Sequence, residues 1–167
     1  MNISHEFDQC VEEVGERVKT QMERRSFLVA NELRNNAMLV LRGQRGGRRY
    51  NVPGTGRMRY YKRGSKDGKH KAGTATITYR KYTASAPGEP PAVRTGAFRA
   101  SWQATSRVVY GSYISRIESD IRTENGSYTL GEILEHGTSR MAPRPYQDEI
   151  LEKTKPEILR IYNEPYF

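Results

Sequence analysis

The residues of this chain whose types most suggest chemistry are the cations and tyrosines between positions 42 and 82. Thirteen lysines and arginines lie there against one acid, Asp67, which gives a local charge of +12 in a chain whose total is +9. Five tyrosines alternate with these cations. Such a composition can neutralise phosphates and stack on bases, or dock on an acidic protein surface. The residues expected to contact DNA or a partner protein are Arg45, Arg48, Arg49, Arg57, Arg59, Lys62, Arg63, Lys66, Lys69, Lys71, Arg80 and Lys81.

A basic chain also invites comparison with metal-dependent nucleases, which need carboxylates that hold metal ions and so activate water. Glu118 and Asp120 would share one face of a strand, and Glu132 and Glu135 follow, but a solvated acidic surface is the simpler explanation. The three histidines lie in separate segments without cysteines or carboxylates at metal-ligand spacing. The sequence therefore contains no recognisable catalytic or metal-binding motif.

The element that precedes the basic segment is a long amphipathic helix. Apolar residues recur at steps of three and four from Phe7 to Met22 and again from Val29 to Val40, with no proline before Pro53, which predicts one helix over about residues 5–41. At 1.5 Å per residue it would span roughly 50 Å. A domain this small cannot cover that length, so we expect part of the apolar stripe to pack against another subunit of a homo-oligomer.

The basic segment itself predicts a β-hairpin. Two β-like runs, 57–63 and 74–82, flank a glycine-rich tip, whereas 42–56 shows no periodicity and predicts a loop. Two strands alone are marginal in water, so the hairpin's order should depend on what it touches. We call residues 42–82 the basic arm and treat 1–167 as one domain that carries it.

The remaining segments complete an α+β pattern. Strand-like runs near 103–110, 113–122 and 127–130 predict a small antiparallel sheet, and Asn125-Gly126 is a tight-turn signal. A C-terminal helix follows, which Pro156 should kink or split. The predicted fold is thus a long N-terminal helix, a small antiparallel sheet, a basic β-hairpin arm and a kinked C-terminal helix.

A stiffened turn, Leu134–Tyr146, leads into that last helix. Gly137 permits a positive φ that ends the preceding element, and Thr138 can bond nearby backbone. Pro143 and Pro145 each fix φ and extend the residue before them. We call its part Gly137–Tyr146 the brace, because it should fix the closing helix against the sheet. Its defining residues are Gly137, Thr138, Pro143, Pro145 and Tyr146.

Two sequence blocks together resemble a known family. The first block is Ser85-Ala86-Pro87-Gly88-Glu89-Pro90-Pro91 followed by Thr95-Gly96-Ala97-Phe98-Arg99; the second is Glu135-His136-Gly137-Thr138 followed by Met141-Ala142-Pro143-Arg144-Pro145-Tyr146. In this order they resemble the neck or tail-completion proteins of long-tailed bacteriophages. His136 stands where that family usually has an aromatic residue, and residues 42–82 have no counterpart in the family pattern.

The resemblance implies a structural virion protein made in the host cytoplasm and located at the head–tail junction. It would form a ring that joins the head connector to the tail around the DNA channel. The implied partners are other copies of the chain, neighbouring head-connector and tail proteins, and the genomic DNA; no membrane, cofactor or catalytic residue is implied. The residues alone also fit a second function, a non-sequence-specific nucleic-acid-binding oligomer.

Overall fold

A computed structural model describes residues 3–43, 45–60, 75–123 and 126–166, and it confirms the α+β class. A long N-terminal helix, small antiparallel sheets and a C-terminal helix are all present. The elements are α1 (Ile3–Val40), β1 (Arg49–Asn51), β2 (Arg57–Tyr60), β3 (Ala75–Thr78), β4 (Lys81–Thr83), α2 (Ala97–Ala100), β5 (Gln103–Val109), β6 (Ser112–Glu118), α3 (Leu130–His136) and α4 (Gln147–Asn163).

Helix α1 is the central element of the fold, and both α4 and the β5–β6 hairpin pack along it. Small side chains let the sheet approach: the hydroxyl of Ser26 lies 2.7 Å from that of Ser106, and the Ser115 hydroxyl donates to the Ser26 carbonyl at 2.7 Å. Buried Arg25 donates through Nη2 to the carbonyl of Glu164 at 2.6 Å, just past the end of α4. The two long helices are therefore joined by a buried cation as well as by apolar contacts.

The small sheet differs in one respect from its sequence prediction. Strands β5 and β6 pair as an antiparallel hairpin, as expected, but 127–130 is not a third strand. Only an isolated bridge joins Arg122 to Thr129, because Thr129 instead caps α3. Its hydroxyl accepts the Glu132 N–H while the Glu132 carboxylate accepts the Thr129 N–H, a capping box that favours helix over strand.

Helix α4 runs through Pro156 without interruption, so the predicted split does not occur. Burial of Ile150, Thr154 and Ile161 against α1 holds the helix together across the lost backbone donor. None of the helices within the described ranges is both long and apolar enough to cross a bilayer.

Candidate functional site

The brace begins at Gly137, which ends α3. Its φ is 76°, and its N–H donates to the Ile133 carbonyl at 2.9 Å. A Cβ at this position would lie 2.6 Å from the Met141 carbonyl oxygen and 2.8 Å from the Pro143 nitrogen. Both obstacles are backbone atoms that cannot rotate away, so only glycine fits this turn without displacing the chain.

Past Gly137 the chain folds into a tight, fully bonded turn. The Thr138 N–H donates to the Met141 carbonyl at 2.8 Å, and the Met141 N–H donates back to the Thr138 carbonyl at 3.2 Å. The Thr138 hydroxyl also accepts the N–H groups of Arg140 and Met141. Further on, the Arg144 N–H donates to the Leu134 carbonyl at 2.8 Å, which ties the path between Pro143 and Pro145 to α3.

Tyr146 ends the brace and lies in the core with only 1% of its surface exposed. Its ring stands edge-on to those of Phe98 and Trp102, with centroids 5.8 and 6.0 Å away. The Glu135 carboxylate accepts the Tyr146 N–H at 3.0 Å, where α4 begins. Burial, reinforced by this carboxylate, raises the pKa of Tyr146 to about 12. The brace thus delivers one aromatic ring to the core and starts a helix beside it.

The two sequence blocks meet in the fold. The Gly88 N–H donates to the Pro143 carbonyl at 3.1 Å, and Phe98 of the first block packs against Tyr146 of the second. Between them, Gly131 of α3 lies so close to Tyr146 that a Cβ there would be 2.9 Å from the phenol oxygen. Two proline-rich segments that are separate in sequence therefore form a single structural unit.

The root of the basic arm is fastened to the same unit through Glu89, a residue that sequence reasoning missed. Its carboxylate accepts the Gly46 N–H at 3.0 and 3.2 Å and the Ala86 N–H at 2.8 Å. These two backbone donors, with a smaller contribution from Arg45, lower the pKa of Glu89. An acid two residues after a proline, in a Pro-Gly-Glu turn, is the only sequence signal for this role.

Arg45 lies at this root, not on the outer part of the arm. Its guanidinium donates to the Val40 carbonyl at 2.7 Å and to the Pro91 carbonyl at 3.2 Å. Partial burial lowers the pKa of Arg45, while Glu149 and Glu89 oppose that shift. The side chain therefore joins the end of α1 to the first sequence block. Close by, Gly47 and Ala84 pair through N–H···O at 3.0 Å where the arm begins.

Beyond the root the arm forms two antiparallel ladders. Strand β1 pairs with β4, and β2 pairs with β3, with Met58 opposite Ile77. The first ladder differs from the sequence prediction, since β1 falls in the segment expected to be a loop. Its three residues show no apolar alternation, and the Tyr50–Tyr82 cross-strand pair that marks it, with ring centroids 6.0 Å apart, is visible only once the strands are aligned.

A turn in the glycine-containing stretch 52–56 separates the two ladders. The Val52 N–H donates to the Arg80 carbonyl at 2.7 Å, and both the N–H and the hydroxyl of Thr55 donate to the Val52 carbonyl. In turn the Thr55 hydroxyl accepts the Arg80 N–H at 3.1 Å. Five residues, 52–56, thus face only 79–80 on the returning strand. The extra residues form a bulge, not a phosphate cradle.

The outer ladder has two chemically different faces. Because side chains alternate along a strand, Met58, Tyr60, Ile77 and Tyr79 share one face, and Arg57, Arg59, Thr76 and Thr78 share the other. The apolar face is uncovered: Met58 is 58% exposed and Ile77 55% exposed.

The other predicted arm cations divide into two groups. The cations on or beside the described ladders are Arg48, Arg49, Arg57, Arg59, Arg80 and Lys81. Five more, Lys62, Arg63, Lys66, Lys69 and Lys71, lie outside the described residues, as does the predicted tip of the hairpin.

At the opposite end of the molecule, α1 extends past everything that packs on it. The Tyr113 hydroxyl reaches the Lys19 carbonyl at 3.4 Å, and the earlier turns have no such cover. We call residues 3–17 the overhang. Its apolar stripe continues the buried side of α1, yet Phe7, Val11 and Val14 are 68%, 55% and 44% exposed. Exposure falls steadily towards Val29, which is buried, so the stripe that builds the core continues into a part of α1 that no described residue covers.

Three of the four carboxylates weighed for metal catalysis have other partners. Glu118 pairs with Arg116 at 3.2 Å, Glu132 belongs to the α3 capping box, and Glu135 accepts the Tyr146 N–H. Among the described residues, no group of three or more His, Cys, Asp or Glu side chains is placed to hold a metal ion.

Comparisons with protein-family models, with curated proteins and with solved structures find no match to this chain.

Proposed function

We propose that this chain is a structural virion protein of the phage head–tail interface, a neck or tail-completion component. It forms a ring that joins the head connector to the tail around the DNA channel. It acts without catalytic residues, cofactors or a membrane, through contacts with its own copies, with neighbouring head and tail proteins and with the genome. It assembles in the host cytoplasm and functions within the virion.

One observation carries the proposal: the two blocks that resemble the family lie together, joined from Gly88 to Pro143 and from Phe98 to Tyr146. Such contacts give both blocks a common structural purpose, which a coincidental match of two unrelated loops would not supply. The unit they form holds α4 against α1, and it leaves the overhang and the basic arm uncovered. A rigid body with uncovered extensions is what a ring subunit needs for contacts with its neighbours.

The alternative is a non-sequence-specific nucleic-acid-binding oligomer that acts free of any particle. The observation that favours it is the uncovered arm, where Arg57 and Arg59 share a face and tyrosines interleave with cations. Backbone neutralisation by such a face is independent of base sequence. The two functions differ in where the protein works and in whether it binds duplex DNA by itself.

Complementation of particle assembly tests the proposal. Particles made from a genome with a stop codon in this reading frame should accumulate DNA-filled heads and finished tails that are not joined, and the purified protein should restore joining. Duplex DNA binding by the purified protein should be weak at physiological salt. Normal joining without the protein would overturn the proposal. Tight DNA binding that falls steeply as salt rises, with no effect on joining, would establish the alternative.

A further inference from the structure

The overhang is acidic as well as apolar. Residues 3–17 contain five carboxylates, Glu6, Asp8, Glu12, Glu13 and Glu16, and one cation, Arg17. On a helical wheel, Phe7, Val11 and Val14 lie on one side of the helix. The carboxylates lie beside this stripe and on the opposite side of the helix. Whatever covers this stripe must therefore offer apolar side chains in a positively charged setting.

Charge disfavours pairing of two overhangs with each other. Packing two such helices side by side would bring ten carboxylates together against two arginines, and like charges at close quarters oppose association. Among the described residues, the most positively charged surface is that of the basic arm: residues 42–43, 45–60 and 75–82 carry eight lysines and arginines and no acid. The arm also has its own uncovered apolar face of Met58, Tyr60, Ile77 and Tyr79.

The dimensions of the two apolar surfaces agree. From Phe7 to Val14 the stripe is roughly 10 Å long at 1.5 Å per residue. The apolar face of the outer ladder extends about 7 Å along each of two strands that are about 5 Å apart. The two surfaces match each other in size and have opposite net charge.

The two surfaces lie at opposite ends of one protomer. The arm is rooted beside Val40, where Arg45 donates to the Val40 carbonyl, and about 35 Å of α1 separates that residue from Arg17. In the structure both surfaces are exposed, so the arm is not folded onto its own overhang.

We propose that the apolar face of the arm docks on the overhang of a second copy of this chain. The contact is heterologous, arm to overhang, so each protomer gives one surface and receives the other, and the series can close into a ring. Arg57 and Arg59 lie on the other face of the thin ladder, so their attraction to the carboxylates of the overhang acts across the strands and not through direct ion pairs. The inference rests on the proposed function in one respect only, namely that the protein forms a homo-oligomer.

Cys10 makes the contact testable, because it is exposed and lies on the overhang between Phe7 and Val14. Ile77 and Thr78 are adjacent residues of β3 that face opposite sides of the ladder. We expect Ile77→Cys, oxidised mildly with glutathione disulfide, to give a ladder of dimers, trimers and higher species on non-reducing gels. Thr78→Cys should cross-link at least about tenfold less, since its side chain points to the opposite face and a disulfide needs Cβ atoms within about 4.5 Å.

Three controls fix the interpretation. Adding Cys10→Ser to Ile77→Cys should abolish the ladder. In sedimentation experiments, Val11→Asp should weaken self-association about tenfold or more while Trp102 fluorescence stays that of the folded body, because Val11 is exposed and distant from the core. Added duplex DNA should leave the ladder intact.

Several results would overturn the docking. They are equal cross-linking at positions 77 and 78, dimers without higher species, a monomer at all concentrations, association unaffected by Val11→Asp, and loss of the ladder when DNA occupies the arm. Failure of the proposed function is separate: the ladder forms as expected, yet the protein does not restore head–tail joining. A protein that restores joining but shows no preference for position 77 refutes the docking alone.

Discussion

The brace and the basic arm are alike in composition and opposite in structure. Both contain glycine, proline, arginine and tyrosine in close succession. In the brace, Thr138 closes a bonded turn and Tyr146 lies buried among Phe98 and Trp102. In the arm, the outer ladder is also bonded, but most of its side chains are exposed, on both faces.

The difference lies in where each segment delivers its aromatic ring. The brace places one tyrosine into a space bordered by Gly131, and that single burial fixes the start of α4. The arm spreads its tyrosines over a thin two-stranded ribbon that cannot bury them without a second layer. We infer that the brace stabilises the protomer and that the arm serves contacts between molecules.

The largest effect should come from removing the buried ring. Tyr146→Ala deletes an aromatic side chain from the core and should reduce the free energy of unfolding by about 4 kcal/mol. Its counterpart in the arm, Tyr60→Ala, removes an exposed ring and should change that free energy by less than about 0.5 kcal/mol. Urea denaturation followed by the fluorescence of Trp102, the only tryptophan, measures both. Equal losses would contradict the division between brace and arm.

Two glycines, Gly137 in the brace and Gly54 in the arm, allow the two regions to be compared through their backbone conformations. Gly137→Ala adds a methyl group against the Met141 carbonyl at a φ of 76° and should lower the free energy of unfolding by about 3 kcal/mol. Gly54→Ala imposes a similar φ of 71° in open space, so only the conformational strain of about 1 kcal/mol remains. Thermal unfolding of the two variants measures both losses of unfolding free energy. A larger loss for Gly54→Ala would contradict the conclusion that the brace, and not the arm, stabilises the protomer.

A smaller effect is expected from the prolines that set the path of the brace. Pro143→Ala with Pro145→Ala keeps every side-chain contact of Tyr146 but frees the unfolded chain, so the loss should be about 1 to 2 kcal/mol. Pro53→Ala in the bulge of the arm is the single-site control. Particle yield is the second readout: the double variant should assemble poorly, and normal virion yield would refute the role of the brace in assembly.

The elements with strong periodicity were predictable from the sequence, and those defined by distant partners were not. The stripe from Phe7 to Val40 predicted α1 within about two residues at each end, because a 3.6-residue period is a local signal. Strand β1 was missed, since it exists only through its pairing with β4. The run 127–130 was misjudged because a strand-like composition can also supply a capping box.

The candidate site shows the same limit. Gly137, Pro143 and Pro145 were identifiable from their own backbone restrictions. The role of Glu135 was not, because its acceptor position depends on a nitrogen eleven residues later in a separate element. Arg45 was assigned to the arm by its neighbours in sequence, yet its guanidinium bonds carbonyls of α1 and of the first sequence block.

The subtlest prediction concerns Glu89, where the two regions meet. Its pKa is lowered because the ionised carboxylate accepts the Gly46 and Ala86 N–H groups. A lowered pKa in the folded state means that this contribution to stability is present above the unfolded value of about 4.3 and is lost as the pH falls through the folded value. Glu89→Gln should therefore be less stable than the wild type at pH 7, and the difference should shrink below about pH 4.

Amide exchange at Gly46, measured between pH 7 and pH 3 and corrected for intrinsic rates, reports this local contact directly. In the wild type its protection should decline with acid, and in Glu89→Gln it should be low throughout. The matched control is Glu152→Gln, which removes an equal charge from a surface ion pair on α4 and should leave Gly46 unchanged. If acid releases Gly46 equally in the Glu89→Gln variant, the arm is attached to the brace by something other than this carboxylate, and the boundary between the two regions lies elsewhere.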